Sequence, residues 1–306
     1  MSTIFVVGSF VVDFTVRVPR MPVLGEGLIG DVFYNGVGGK GTNQAIAARR
    51  LGARVGLLAC VGDDALSQMA LDCYGREGIS SNHIHRIPNM NTGVGMVGVL
   101  PSGENWIIGH LGANMHMRPD HVDLAGDAIA HSDVVMTQFE VPLETTARAM
   151  ELGRKHGAIT LLNPAPGRRL TKEMLRHVDI LTPNESELRI MLGLRPNDPS
   201  PTTELAVKLL EFGVKQIVVT RGREGALIVT YQGVQAVGGV RVKAVCVTGA
   251  GDCFNATMAV GLAGGLSLEE AVRDACFAGA YSTQVLGAID GLPTREQLET
   301  FKRSAQ

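Results

Sequence analysis

Apolar residues along this chain fall into two rhythms. Short continuous runs of Val, Ile and Leu recur between longer amphipathic stretches, while two blocks alternate apolar and polar residues. The first continuous run, residues 4–12, predicts a strand buried on both faces of a parallel sheet. Further strands are expected at 55–61, 133–139, 158–162, 178–181 and 216–220, with a hairpin at 226–231 and 234–237. Helices are expected between them at 42–51, 64–77, 119–131, 143–156, 185–192 and 203–212, and towards the end at 250–265, 268–286 and 294–303. Pro119 suits the first turn of its helix. Strands alternating with helices predict an α/β fold, a mostly parallel sheet covered on both faces.

The two alternating blocks read differently. Residues 17–34 and the pair 92–100 and 105–110 predict half-exposed strands, the latter joined by a turn at Pro101-Ser102-Gly103-Glu104. They are expected to form one small sheet, inserted in two pieces. The division is then 1–12, 37–90 and 114–306 for the main domain and 13–36 and 91–113 for the small sheet.

Composition narrows the function classes. A formal net charge of -2 over 306 residues gives no electrostatic footprint for nucleic acid or an anionic membrane surface. One Trp and four Tyr are too few for a base-stacking platform. No apolar run approaches the ~20 residues that span a bilayer, and the N-terminal run lacks the basic flank of a signal peptide. Five cysteines without a Cys-x-x-Cys pair suggest reduced thiols in a cytoplasmic protein.

The candidate chemistry lies just past predicted strands, where ligands of parallel sheets bind. Thr248-Gly249-Ala250-Gly251-Asp252 follows a β-type run at 240–245 and opens a small-residue helix. A Gly-Ala-Gly turn at a helix start directs several N–H groups into one space, an anion site. Asp252 beside it is suited to take a proton from a hydroxyl while the amides hold a phosphoryl group. A first-turn Asp is equally an ordinary helix-stabilising choice.

Other motifs are open to two readings. Gly36, Gly38 and Gly41 fit G-x-G-x-x-G, with Asp63 downstream, as in a NAD(P)-binding dehydrogenase; yet they follow an exposed type of strand and equally suit a flexible loop. Asn184 and Glu187 share a helix face and can organise hydrated magnesium or cap the helix. Residues 220–225 can line a nucleotide phosphate or turn a hairpin.

In order, these motifs resemble the ribokinase-like, or phosphofructokinase-B-type, carbohydrate kinases, with ribokinase as the nearest subfamily. The match runs through Gly8-Ser9 and Asp13, Gly38-Gly39-Lys40-Gly41 and Asn43, Gly62-Asp63-Asp64, Gly112-Ala113-Asn114, Asn163-Pro164-Ala165-Pro166, Pro183-Asn184-Glu185-Ser186-Glu187 and Gly249-Ala250-Gly251-Asp252. The resemblance implies an ATP-dependent kinase of a pentose such as ribose. Asp252 would be the base, and Gly249, Ala250 and Gly251 the γ-phosphoryl anion hole. Asp13, Gly39, Lys40, Asn43 and Glu140 would contact the sugar. Asn184 and Glu187 would organise Mg2+ and phosphates; Thr220, Gly222, Gly225 and Gly251 would line the nucleotide site, with 275–287 near adenine. The small sheet becomes a lid and a homodimer interface.

Two positions depart from the family pattern. Val11 stands where ribokinases carry Asn, which removes a polar sugar contact and leaves nucleoside or deoxysugar kinases as an alternative. Cys246-Val247 replaces Asp-Thr, where the Asp belongs to a monovalent-cation site, so weak activation by K+ is expected. A non-catalytic sugar-binding regulator is the remaining alternative.

Overall fold

The computed structural model describes residues 2–102 and 105–305. Gly103 and Glu104 of the expected turn lie outside the described residues. In chain order the strands are β1 (Thr3–Val7), β2 (Val11–Arg17), β3 (Val32–Gly38), β4 (Arg54–Val61), β5 (Ile84–Arg86), β6 (Gly93–Val99) and β7 (Asn105–His110). They continue as β8 (Val134–Thr137), β9 (Ile159–Leu162), β10 (Ile180–Leu181), β11 (Gln216–Thr220), β12 (Ala226–Thr230) and β13 (Gly233–Val237).

Nine of these form one sheet, in the order β13-β12-β11-β10-β9-β8-β1-β4-β5, with all strands parallel except β12, which is antiparallel to both of its neighbours. Period-two burial on β1 shows why its sequence is continuously apolar. Ile4 and Val6 pack into one core, beneath the helices Lys40–Arg50, Ala250–Ala263 and Leu268–Ser282. Phe5 and Val7 enter the other, beneath Leu143–Lys155 and Thr202–Leu210. The expected α/β architecture, a mostly parallel sheet covered on both faces, is therefore present. Among the described residues no helix is long and apolar enough to cross a membrane.

The other four strands form a separate sheet, ordered β3-β2-β6-β7, with β2 antiparallel to β3 and parallel to β6. It takes in Val11, Val12, Val37 and Gly38, which the expected division gave to the main domain.

Several elements differ from expectation, for identifiable reasons. The run 4–12 is two strands in two sheets. The chain turns at Gly8, where a Cβ would lie 2.3 Å from Gln138 Oε1 and 2.5 Å from Gly41 Cα. The Ser9 carbonyl accepts from Thr42 N (2.9 Å) and Thr42 Oγ1 (2.8 Å), so a helix takes the bond a strand neighbour would have taken. In the block 17–34 only the two ends, Arg17 and the stretch from Val32, are strand; its prolines lie in a loop closed by Arg17–Asp31 (2.6 Å). Residues 119–131 form two short helices, Pro119–Leu124 and Gly126–Ala130, broken at Ala125. The helix expected at 64–77 is Leu66–Glu77; Asp64 instead accepts from Thr92 N and Oγ1, both at 2.7 Å. The one expected at 268–286 stops at Ser282. The β-type run 240–245 is irregular. Gly239 allows the chain to leave the sheet edge, since a Cβ there would strike the Arg223 carbonyl at 2.4 Å.

Candidate active site

The helix Ala250–Ala263 begins at Gly249, whose φ of 80° is the left-handed conformation that glycine adopts freely. Helix geometry leaves the first N–H groups without intrahelical acceptors. That of Ala250 bonds the Val247 carbonyl at 3.2 Å, while a Cβ on Gly251 would meet nothing within 4 Å. The turn therefore presents open backbone at the positive end of the helix, where an anion is favoured.

Asp252 is buried at 5% exposure and held by two amides. Asn43 Nδ2 donates to its Oδ2 at 2.8 Å and Gln44 Nε2 to its Oδ1 at 3.0 Å. Gln44 Nε2 also reaches Asn163 Oδ1 at 3.3 Å, and Gln44 Oε1 accepts from Gln138 Nε2 at 2.6 Å. Asn163 in turn donates to the Thr182 carbonyl at 3.1 Å. This chain of amides fixes the carboxylate from beneath.

Lys40 opens its helix beside this group. Burial draws its ammonium down, but Asp252, Glu140 and Glu187 outweigh burial and leave it above its ordinary value. The four side chains thus share one field, built from four parts of the chain. Glu140 Oε2 accepts from Ser9 Oγ (2.5 Å) and from the Lys40 backbone N–H (2.8 Å), which locks the start of the helix onto the end of β8. Gly39, at φ 91°, packs where a Cβ would lie 2.9 Å from the Ser9 carbonyl.

Asp13 sits on β2 between two glycines that no other residue could replace without displacement. A Cβ on Gly38 would lie 2.4 Å from its Oδ2, and one on Gly95 2.2 Å from its Oδ1. Burial, then the nearby Glu140 charge, push its carboxyl up to about 6. Asp13 and Thr15 line one small cavity with Tyr34, Cys246 and Thr248.

A groove of about 1020 Å³ brings together Thr220, Gly222, Gly225, Ala250 and Gly251. Its far wall is Cys276, Gly279, Ala280 and Thr283, so part of 275–287 faces the expected nucleotide residues across it. The irregular stretch from Val240 lines its edge. Asn184 and Glu187 form a reciprocal helix cap, each bond 2.8 Å, and Asn184 bridges Thr220. Burial raises the Glu187 carboxyl, against the Asn184 N–H and Lys40, which lower it. The cap occupies Glu187 Oε2 and leaves Oε1 for a second partner.

Nothing in the sequence marks Gln44 and Gln138, since a glutamine inside a helix or after a strand carries no motif. The dinucleotide-type pattern of Gly36, Gly38 and Gly41 has the wrong setting in the fold. Gly36 and Gly38 belong to the small sheet, so that glycine loop does not follow a strand of the main sheet. All five cysteines are free, and Cys246 is half-buried.

The fold and much of the sequence recur in known proteins. The chain matches the pfkB family carbohydrate kinase pattern over residues 1–295. It belongs to the pfkB family of carbohydrate kinases. It is 34% identical over 304 residues to a ribokinase of Haemophilus influenzae, covering 99% of each chain. It is also 34% identical to a deoxyribokinase of Salmonella typhi, covering 97% of this chain and 98% of that one. Among solved structures it is similar to the ribokinase of Thermotoga maritima, with TM-score 0.89 and 32% identity over 99% of this chain and 100% of that one. It is likewise similar to Arabidopsis thaliana ribokinase complexed with ribose and ATP, with TM-score 0.89 and 28% identity over 98% and 99%. This pfkB-family kinase is thus a phosphotransferase acting on a sugar hydroxyl.

Proposed function

We propose that the protein transfers the γ-phosphoryl group of ATP to a hydroxyl of a pentose or closely related sugar. The observation that carries this reading is the juxtaposition of a buried, amide-held carboxylate, Asp252, with the open helix start at Gly251. Asp252 removes the proton of the attacking hydroxyl, and the turn Gly249-Ala250-Gly251 holds the transferring group through its open N–H groups. Phosphoryl transfer asks for alignment, charge neutralisation and dryness more than covalent help. Asp13, Gly39, Lys40, Asn43 and Glu140 form the sugar side, and Lys40 adds positive charge between the two ends. ATP lies along the groove from Thr220, Gly222 and Gly225 towards Ala280.

The donor set suits Mg2+ held mainly by phosphate oxygens and water, as this ion prefers. Glu187 would hold it through its free oxygen, with Asn184 fixing that carboxylate. The ion would neutralise charge on the phosphates. The small sheet, residues 13–36 and 91–113 in the expected division, closes over the sugar as a lid. Its exposed Phe33, Met96, Ile107 and Ile108 suit a homodimer interface. A cytoplasmic location fits the free cysteines.

A deoxysugar reading is favoured by one observation. Val11 is buried beside Asp13, its Cγ1 3.7 Å from the Cβ position of Gly95. An apolar wall there favours a C–H over a hydroxyl. Release of ADP with ribose, 2-deoxyribose and nucleosides tests both readings. ADP release with none of them, at any sugar concentration, overturns the pentose assignment. Preference for ribose over 2-deoxyribose removes the deoxysugar reading.

A further inference from the structure

Tyr34 lies on β3 opposite Thr15, facing the same cavity as Asp13. Its ring leans over Gly36, where a Cβ would come within 2.7 Å of Cε1. Its hydroxyl donates to Asp290 Oδ2 at 2.7 Å, across 256 positions of sequence. Burial, then Asp290, push the phenol up to about 12, so it remains a donor throughout the neutral range.

Asp290 belongs to the loop that follows the helix Leu268–Ser282, and that loop touches both ends of the site. A Cβ on Gly287 would lie 3.2 Å from Asp290 Oδ2 and 3.6 Å from the Tyr34 hydroxyl. One residue further on, the Ala288 carbonyl lies 3.0 Å from the Cβ position of Gly249, the residue that starts the anion-binding turn. The small sheet is thereby tied to the phosphoryl end through Tyr34, Asp290, Ala288 and Gly249.

We propose that the Tyr34–Asp290 hydrogen bond is a latch that positions the Tyr34 ring over the sugar and couples closure of the small sheet to the Gly249 turn. Tyr34 is then a positioning residue, and the latch makes the phosphoryl end ready when the sugar end is shut. The inference rests on the sugar lying between Asp13 and Thr248.

The sole tryptophan, Trp106, is on β7 of the same sheet and reports its position. The test compares wild type with Tyr34→Phe, Asp290→Ala, Asp290→Asn and the double variant Tyr34→Phe/Asp290→Ala. The readings are sugar KM, kcat, ATP hydrolysis without sugar, and Trp106 emission of the ligand-free protein. One hydrogen bond to a charged but exposed group predicts a roughly three- to tenfold rise in sugar KM for Tyr34→Phe and Asp290→Ala. The ATP KM stays level, and sugar-independent ATP hydrolysis rises relative to sugar-dependent turnover. The double variant matches the single ones, and Asp290→Asn, which keeps an acceptor, recovers most of the loss. Trp106 emission shifts alike in Tyr34→Phe and Asp290→Ala. Unchanged emission overturns the latch. Shifted emission with unchanged sugar KM overturns the positioning of sugar by Tyr34 while leaving the kinase reading intact. Additive effects in the double variant overturn the pairing, as does a lowered melting temperature with every kinetic reading level.

Discussion

Asn43 Nδ2 lies 2.8 Å from Asp252 Oδ2, joining residues 209 positions apart. With Gln44 on the other oxygen, the bond turns a first-turn helix carboxylate into an aimed one. An Asp that served only its own helix would face solvent near the N-terminal amides. Here both oxygens are addressed by amides from a different helix, which orients the remaining lone pairs.

Asp252→Asn is expected to lower kcat by ~10²–10⁴-fold, since an amide cannot accept the hydroxyl proton. ATP affinity stays near wild type, because the helix start is untouched. Isothermal titration with ATP and steady-state turnover check both halves. Wild-type turnover would remove Asp252 from the base role.

Gly251→Ala is expected to separate stability from activity. A Cβ there meets no protein atom within 4 Å, so folding suffers no clash. Alanine favours the helix by up to about 1 kcal/mol over glycine. The same methyl group projects into the space assigned to the phosphoryl group. A melting temperature equal to or above wild type with a large loss of turnover is the expected pair of results. Retained turnover would place the phosphates elsewhere.

Asp13→Asn addresses pH. The folded carboxyl titrates at about 6, above its ordinary value of 3.8. Between these values the folded state binds more protons than the unfolded one, so Asp13 makes stability fall as pH rises through that window. The amide of the variant carries no such proton. Asp13→Asn should therefore lose that part of the pH slope and melt higher, relative to wild type, at pH 8 than at pH 4. Sugar KM of the wild type should improve above about pH 6, as the carboxylate forms; Asp13→Asn should show a high, flat KM. Melting curves and KM from pH 4 to 8 decide this, and parallel pH profiles in the two proteins would count against it.

Cys246→Asp is expected to increase activation by potassium. The Val245 and Cys246 N–H groups both bind the Thr283 carbonyl, at 2.7 and 3.0 Å, which fixes the backbone of this stretch. A thiol offers neither the charge nor the hard oxygen donor that potassium prefers. Turnover in potassium against a bulky organic cation, at equal ionic strength, measures the effect. Strong activation of the wild type, unchanged in the variant, would show that Cys246 does not limit the response.

The legible parts of the sequence were those governed by local periodicity and by short motifs. β8, β9 and β11 are apolar runs buried on both faces, and the glycine turn at 249–251 announces its own backbone geometry. Less legible was anything decided by a distant partner. Residues 4–12 are uniformly apolar, yet the chain changes sheets because Gly41 and Gln138 crowd Gly8. Residues 240–245 have strand composition, but β13 ends the sheet and the following chain forms the edge of the groove. The Gln138–Gln44–Asp252 relay is invisible for the same reason, since an amide shows its partner only once the chain is folded.

Asn114 has a mechanical consequence. Its side chain accepts from Phe10 N at 2.9 Å and donates to the carbonyls of Phe10 (2.7 Å) and Leu111 (2.8 Å). A Cβ on Gly93 would lie 2.7 Å from Asn114 Nδ2, and one on Gly39 2.9 Å from Val11 N. Every passage between the two sheets therefore meets at one knot, and the small sheet is a lever with a single fulcrum. Its seven-residue strands are arms about 23 Å long at ~3.3 Å per residue. A 10° turn at the knot would sweep their tips by about 4 Å, and Tyr34, about 13 Å out from Gly38, by roughly 2 Å. A displacement of that size is enough to make or break one hydrogen bond.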